Sequence, residues 1–433
     1  MRSLTFALGL AASWLALGVS GVPIQPQPLI VRYPLRRLRN SSQGSRSFTK
    51  RQSDLNSALD SLVNSTATFT SHNAPLLNDL DICELGIDIE VGSPPKKYLL
   101  LFDTGSSDTW IPSHNCTATQ GCQTSNGYNP AESSTYNPTS FPLNITYGRG
   151  SALGQYFVDQ VSVGDLTVSK QLVAYVDSNE GPIATQNATD GFIMDGLFGA
   201  GYPAGSIMYQ DFRKTFYPFP MSLWYDKLIP EPVFSVYIGD SDNTNWTGEV
   251  VFGGVDLSKT SGKMVYTDVV PYSGEGVTGS IYTRWTVGVQ GFTFQNSTNQ
   301  VKVSFSSTQS FTIDTGSNFI YLPETQAEVL ATHVDPKATL TDGRYIVDCA
   351  YLTSTDGFSV YFPAEYDPQN PDSKASVFIS VPISDMISKL NDQCILLILP
   401  SKNHIIGNLF LRKFVTSFDF GKNRIGFAPV ATK

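Results

Sequence analysis

The chain has 433 residues, 41% of them hydrophobic, and a formal net charge of −9. That is long and apolar enough for two domains with full cores, and it excludes an intrinsically disordered chain. The acidic body argues against nucleic acid as a partner, and beyond the first residues no run reaches the eighteen apolar positions a membrane helix needs.

Met1 and Arg2 precede a mostly apolar stretch from Leu4 to Val19 that ends in Ser20 and Gly21. This is the pattern of a cleaved secretory signal, so residues 1–21 are expected to be a signal peptide. The C-terminal RIGFAPVATK carries no hydrophobic anchor tail, and a freely secreted protein with no membrane attachment is expected.

Charge is uneven along the chain. Eight lysines and arginines and no acidic residue precede Gln52, ending in Lys50-Arg51. Behind a signal peptide, such a segment (22–51, extending at most to about 75) is expected to be a pro-segment. A dibasic processing protease would release it. Opposite charge would hold it over an acidic body at neutral pH and loosen it as carboxylates protonate.

Seven N-x-S/T sequons, at Asn40, Asn64, Asn115, Asn144, Asn187, Asn245 and Asn296, fit an exported glycoprotein. Among five cysteines, Cys116 and Cys122 are spaced to close a short loop and Cys349 and Cys394 a longer one, as an oxidising compartment allows. Cys83 is left over and is expected to be a buried thiol in the first core strand.

From about Ile82 onward the texture is all-β. LGIDIEVG, QYFVDQVSVG, LTVSKQLVAYV, FSVYIG and EVVFGG alternate apolar with polar residues between Gly, Pro, Asn and Asp. One stretch, about 206–229, has a helical pattern, and two prolines interrupt it.

LLLFDTGSSDTW (99–110) and FTIDTGSNFIYLP (311–323) each end an apolar strand at Asp-Thr-Gly-Ser. At nearly equal offsets follow Leu197-Phe198-Gly199 and Ile405-Ile406-Gly407. A duplicated domain explains the matched sets, with each half lending one aspartate, Asp103 and Asp314, to a shared central cleft. Burying a carboxylate is costly unless something compensates it.

On these motifs the chain resembles the pepsin-type aspartic endopeptidases, closest in character to the secreted fungal members. FDTGSSDTWIPS and IDTGSNFIYLP are similar to the two active-site loops, NITYGRGSALGQ to the flap over the substrate, and DGLFGAGYP to the first apolar-glycine support. VVFGGVD is similar to the inter-lobe connection, HIIGNLFLRKFVTSFDFGKNRIGFAPV to the closing strands, and LIVRYPLRRLRN to the start of a pro-segment. The resemblance implies a bilobal double β-barrel with few short helices, an N-terminal lobe over 76–255 and a C-terminal lobe over 256–433. It also implies acid proteolysis with Asp103 and Asp314 sharing one proton over an attacking water, an established property of that family. Ser106 and Ser317 would donate to the carboxylates, Thr104 and Thr315 would bond across the lobes, and Gly105 and Gly316 would let the loops meet. Tyr147 at the flap tip would pair with Trp110, with Gly148 and Arg149 beside it over the substrate.

Three positions depart from the family pattern or add charge. Asp108 stands where asparagine is usual, Arg149 where threonine, serine or aspartate is, and Arg284 precedes Trp285. Cleft arginines would disfavour basic residues next to the scissile bond. Paired carboxylates also serve glycosidases, but these give no reason for duplicated Asp-Thr-Gly-Ser turns. A catalytically dead binding protein would be expected to have lost an aspartate or deformed a turn. Four histidines form no H-E-x-x-H and no G-x-S-x-G occurs, so no metal and no cofactor are expected. The expected partners are peptide substrates and the chain's own pro-segment, and the expected state is a monomer.

Overall fold

Period-two alternation of apolar and polar residues places most segments in strands, as the burial pattern of Leu166–Glu180 shows along its first half. The computed structural model describes residues 72–79, 84–186, 192–239, 245–273, 280–296, 299–365, 375–390 and 392–431. The expected signal peptide, the basic pro-segment with Lys50-Arg51, Asn40, Asn64, Cys83 and Asn187 lie outside the described residues, and so does the side chain of Asn245.

Among the described residues the strands form one sheet of thirteen strands, one of seven and one of four. This is the bilobal all-β architecture expected. In the largest sheet Lys96–Asp103 runs parallel to Gly196–Gly199, with Asp103 opposite Gly199. Trp110–Pro112 then turns back antiparallel to the same short strand, Trp110 opposite Leu197, and lies parallel to part of Leu166–Glu180.

The seven-stranded sheet repeats the plan. Gln300–Asp314 runs parallel to Ile405–Gly407, with Asp314 opposite Gly407. Ile320–Leu322 is antiparallel to that strand and parallel to Ile398–Pro400. The sequence repeat is therefore a structural one, in which each aspartate ends a strand whose parallel neighbour ends in the matched glycine.

These central strands are buried on both faces towards their ends, as Leu100, Leu101, Phe102 and Asp103 all are. That is why the sequence reads there as a continuous apolar run rather than an alternation. The two halves are tied by Trp285, which is fully buried and packs at a tilt with its ring centroid 4.4 Å from that of Tyr202 and 4.6 Å from that of Phe420. Its indole nitrogen donates to the carbonyl of Ala200, 2.9 Å away, just past the first apolar-glycine motif.

The 206–229 region splits into two helices, Ile207–Phe212 and Phe219–Tyr225. Pro218 caps the second helix and Pro220 sits in its first turn, where a missing N–H costs nothing. The eleven-residue helix Glu324–Val334 had no equivalent in the sequence reading. Its apolar face (Ala327, Leu330, Ala331, Val334) is interspersed with small and polar residues that resemble a loop after Pro323.

Both cysteine pairs are bonded: Cys116 to Cys122 and Cys349 to Cys394. The second spans a sequence separation of 45 against 6, so loop-closure entropy gives it the larger effect on stability, about 4 kcal/mol against about 2. Cys349→Ser/Cys394→Ser is expected to lower the melting temperature clearly more than Cys116→Ser/Cys122→Ser, and calorimetry at acidic pH reads the order directly.

Candidate active site

Asp103 and Asp314 are 6% and 8% exposed at the ends of their strands. Each carboxyl lies against the glycine of the opposite turn. A Cβ on Gly105 would stand 2.6 Å from the Asp314 carboxyl carbon, and one on Gly316 2.6 Å from Asp103 Oδ1. Only a residue without a side chain permits that approach.

The two turns satisfy their carboxyls in the same way. Gly105 N–H donates to Asp103 Oδ1 at 2.7 Å, and Gly316 N–H to Asp314 Oδ1 at 2.9 Å. Ser106 Oγ donates to Asp103 Oδ2, and Ser317 Oγ to Asp314 Oδ2 at 2.6 Å.

Beneath them the threonines cross. Thr104 Oγ1 donates to the Ile313 carbonyl (2.9 Å) and accepts from Thr315 N–H (3.0 Å). Thr315 Oγ1 donates to the Phe102 carbonyl (2.7 Å) and accepts from Thr104 N–H (3.1 Å). Both side chains are essentially inaccessible to solvent. Four hydrogen bonds thus join residues some two hundred positions apart into one rigid floor.

Burial is the first cause that holds the Asp103 carboxyl well above the usual carboxylate range, and the neighbouring Asp314 charge is the second. Hydrogen bonds from Ser106 and Gly105 work the other way, while one with Asp314 adds to the rise. The two groups therefore keep a proton between them into the acidic range, and it belongs to the pair rather than to either residue.

The support motifs act from behind. A Cβ on Gly199 would come within 2.5 Å of the Ser107 carbonyl carbon, and one on Gly407 within 2.5 Å of the Ser317 carbonyl oxygen. Each glycine thus lets its strand pack flush against the back of an Asp-Thr-Gly-Ser turn.

Over the site, Asn137–Thr146 and Ser151–Val163 pair as a hairpin whose tip carries Tyr147, Gly148 and Arg149. The Tyr147 hydroxyl accepts a 2.8 Å hydrogen bond from the Trp110 indole nitrogen, and the ring packs on an apolar cluster with Leu101, Met194 and Leu197. Burial, then the nearby Asp108, pushes the Tyr147 phenol well up, so it stays protonated; the hydrogen bond from Trp110 opposes this only in part. Gly148 and Arg149 are exposed, and the nearest group to a Cβ on Gly148 is the Asn403 amide of the other half, 3.7 Å away. Arg284 is also exposed, beside the buried Trp285. Asn115, Asn144 and Asn296 are exposed too. Neither arginine touches the paired carboxyls.

Asp108 had stood out in the sequence only as a departure from pattern. The structure makes it a fully buried carboxyl, and burial pushes its pKa up to about 6 against the hydrogen bonds from Tyr156 and Ile207. A carboxyl raised in the folded state favours folding fully below its unfolded pKa. That contribution, about 3 kcal/mol for a rise of this size, is lost as pH climbs through 6. Asn408, whose side-chain nitrogen donates to the Thr315 carbonyl at 3.3 Å, was also missed; nothing in a lone asparagine after the Ile-Ile-Gly motif announces it.

The family model of the eukaryotic aspartyl proteases matches residues 85–430. The chain belongs to that family. It is 42% identical over 369 residues to mucorpepsin of Rhizomucor miehei, covering 84% of this chain and 82% of that protein, and 40% identical to mucorpepsin of Rhizomucor pusillus over similar shares. Pepsin A of Bos taurus is 29% identical over 85% of the chain and 90% of its own length. Among solved structures, the aspartic proteinase from Irpex lacteus shares the fold with a TM-score of 0.64 at 21% identity, over 84% of this chain and 98% of that one. As a pepsin-family aspartic endopeptidase the protein is a hydrolase.

A methyl group at the junction should force the carboxyls apart. Gly316→Ala is expected to leave far-ultraviolet circular dichroism unchanged and to reduce kcat by about a hundredfold or more, since a misplacement of about 1 Å has that effect on positioned groups.

Proposed function

We propose that the protein is a secreted, acid-active endopeptidase made as a zymogen, in which Asp103 and Asp314 activate the water that hydrolyses the peptide bond. The observation that carries this reading is the mutual approach of the two carboxyls over each other's glycines. A water between the inner oxygens gives a proton to the ionised member as its oxygen attacks the carbonyl carbon, and the protonated member donates to the carbonyl oxygen. The tetrahedral gem-diol collapses as the amide nitrogen takes the proton held by the dyad, the C–N bond breaks, and one hydroxyl of the adduct gives its proton back to the dyad as the new carboxyl forms. The dyad is then left with one proton again, and no acyl-enzyme forms. Thr104, Thr315, Ser106 and Ser317 hold the carboxyls, while Tyr147, supported by Trp110, closes over an extended peptide.

The remaining assignments belong to the same proposal. Residues 1–21 are the signal and 22–51, or up to about 75, the pro-segment that inhibits until cleavage at Lys50-Arg51; the lobes run over 76–255 and 256–433. Sequons on exposed asparagines support passage through a glycosylating compartment. The apolar cluster under Tyr147 beside Asp103 supports a preference for bulky apolar residues at the scissile bond. The protein acts as a monomer on peptides, with no nucleic acid, membrane, metal or cofactor involved.

Because the active form holds one proton in the pair, hydrolysis of denatured globin is expected to be high in acid and to fall towards neutral pH as that proton is lost. Asp314→Asn should lower kcat by about a thousandfold or more at every pH, and full activity of this variant at pH 8 would refute the mechanism. Arg149 is exposed at the flap tip, so profiling on a peptide library should show lysine and arginine disfavoured beside the scissile bond. Arg149→Ala is expected to relax that exclusion by about tenfold, and an unchanged profile removes Arg149 from the specificity account.

A further inference from the structure

The active-site loop buries a third carboxyl that the hydrolytic mechanism does not use. Asp108 accepts from the Tyr156 hydroxyl at 2.5 Å through Oδ1 and from the Ile207 backbone N–H at 3.0 Å through Oδ2. Tyr156 lies on the returning strand of the flap hairpin, and its phenol oxygen also receives the Met208 N–H. One carboxyl thus ties together the loop that carries Asp103, the base of the flap and the first turn of the helix Ile207–Phe212. Two residues further on, Trp110 holds Tyr147.

We propose that Asp108 is a positioning residue for the flap: its neutral carboxyl keeps Tyr156, Trp110 and Tyr147 packed as the shelf that receives substrate, and its ionisation loosens that shelf. The inference rests on the aspartic-protease reading above but adds a second pH-dependent step, one that acts on binding rather than on bond cleavage.

The surroundings decide the sign. The titratable groups that face Asp108 are Tyr156 on the flap strand, Tyr147 at the flap tip and Asp211 on the helix. The tyrosines are held protonated by burial, and Asp211 carries negative charge, so no cation among these groups compensates an ionised Asp108. A charge formed there is relieved only by admitting water, which requires the packing around Asp108 and Tyr156 to loosen. Burial places the titration near 6.

If only the neutral form presents the packed shelf, apparent substrate affinity falls with the neutral fraction, so KM should rise about tenfold per pH unit above the break. The test is kcat and KM for one peptide substrate from pH 4 to 7.5 in the mature enzyme and in Asp108→Asn. The expected result is a KM break near pH 6 in the native enzyme and a flat KM in the variant, with the dyad-controlled fall in kcat keeping its shape in both. Superimposable KM profiles would overturn the proposal.

Tyr156→Phe provides an independent arm, because it removes a donor that stabilises the ionised carboxyl. Its KM break should move to higher pH, and an unmoved break counts against the idea. Tryptophan fluorescence of the unliganded protein separates this inference from the catalytic reading. A transition near pH 6 should persist in Asp314→Asn, which cannot form the catalytic pair, and vanish in Asp108→Asn. If Asp314→Asn retains activity, the catalytic reading fails; if the transition survives in Asp108→Asn, this one does.

Discussion

Two threonine hydroxyls, each donating to a carbonyl and accepting an N–H across the junction of the halves, fix where the two aspartates stand. Threonine suits this position because one hydroxyl can make both bonds at once, and its buried methyl completes the apolar floor. Carboxyls so close and so dry repel each other and lose hydration, and they persist only because a proton, two serine hydroxyls and two glycine N–H groups stand in for water. The same desolvation that makes the arrangement costly is what raises Asp103 and keeps the proton in place.

The rest of the fold delivers those two turns to one point. In each sheet the aspartate strand is paired in parallel with a strand ending in glycine, and the return strand leaves antiparallel from the same neighbour. A side chain on either glycine would push the turn forward. Trp285, wedged among Tyr202, Phe234, Phe418 and Phe420 and bonded to Ala200, resists separation of the halves. Truncating so large a buried ring has effects of about 3–5 kcal/mol in other cores.

The duplication is not symmetrical in its chemistry. Five residues past Asp103 lies the buried Asp108, whereas five past Asp314 lies Phe319; seven past them lie Trp110 and Tyr321. The first loop thus carries a buried carboxyl and an indole donor for the flap tyrosine, where the second carries two aromatic rings. The flap hairpin, with its tie to Asp108 through Tyr156, belongs to that half.

Much of this was legible in the chain. Period-two alternation reports strands because every other side chain of a half-buried strand meets water, and a repeated Asp-Thr-Gly-Ser reports a shared site because each copy alone would be an uncompensated buried acid. The helix Glu324–Val334 was not legible, since its short apolar stripe is broken by polar residues and acquires meaning only against the strand packed on it. Nor was the environment of Asp108, because its partners Tyr156 and Ile207 lie 48 and 99 positions away. The sequence by itself determined the residue types at the dyad, the duplicated plan and the flap tyrosine, all of which are local patterns. Only the tertiary structure decided which carboxyls are dry, who donates to them and which way their pKa values move, because desolvation and hydrogen bonding depend on groups that the chain brings together from afar.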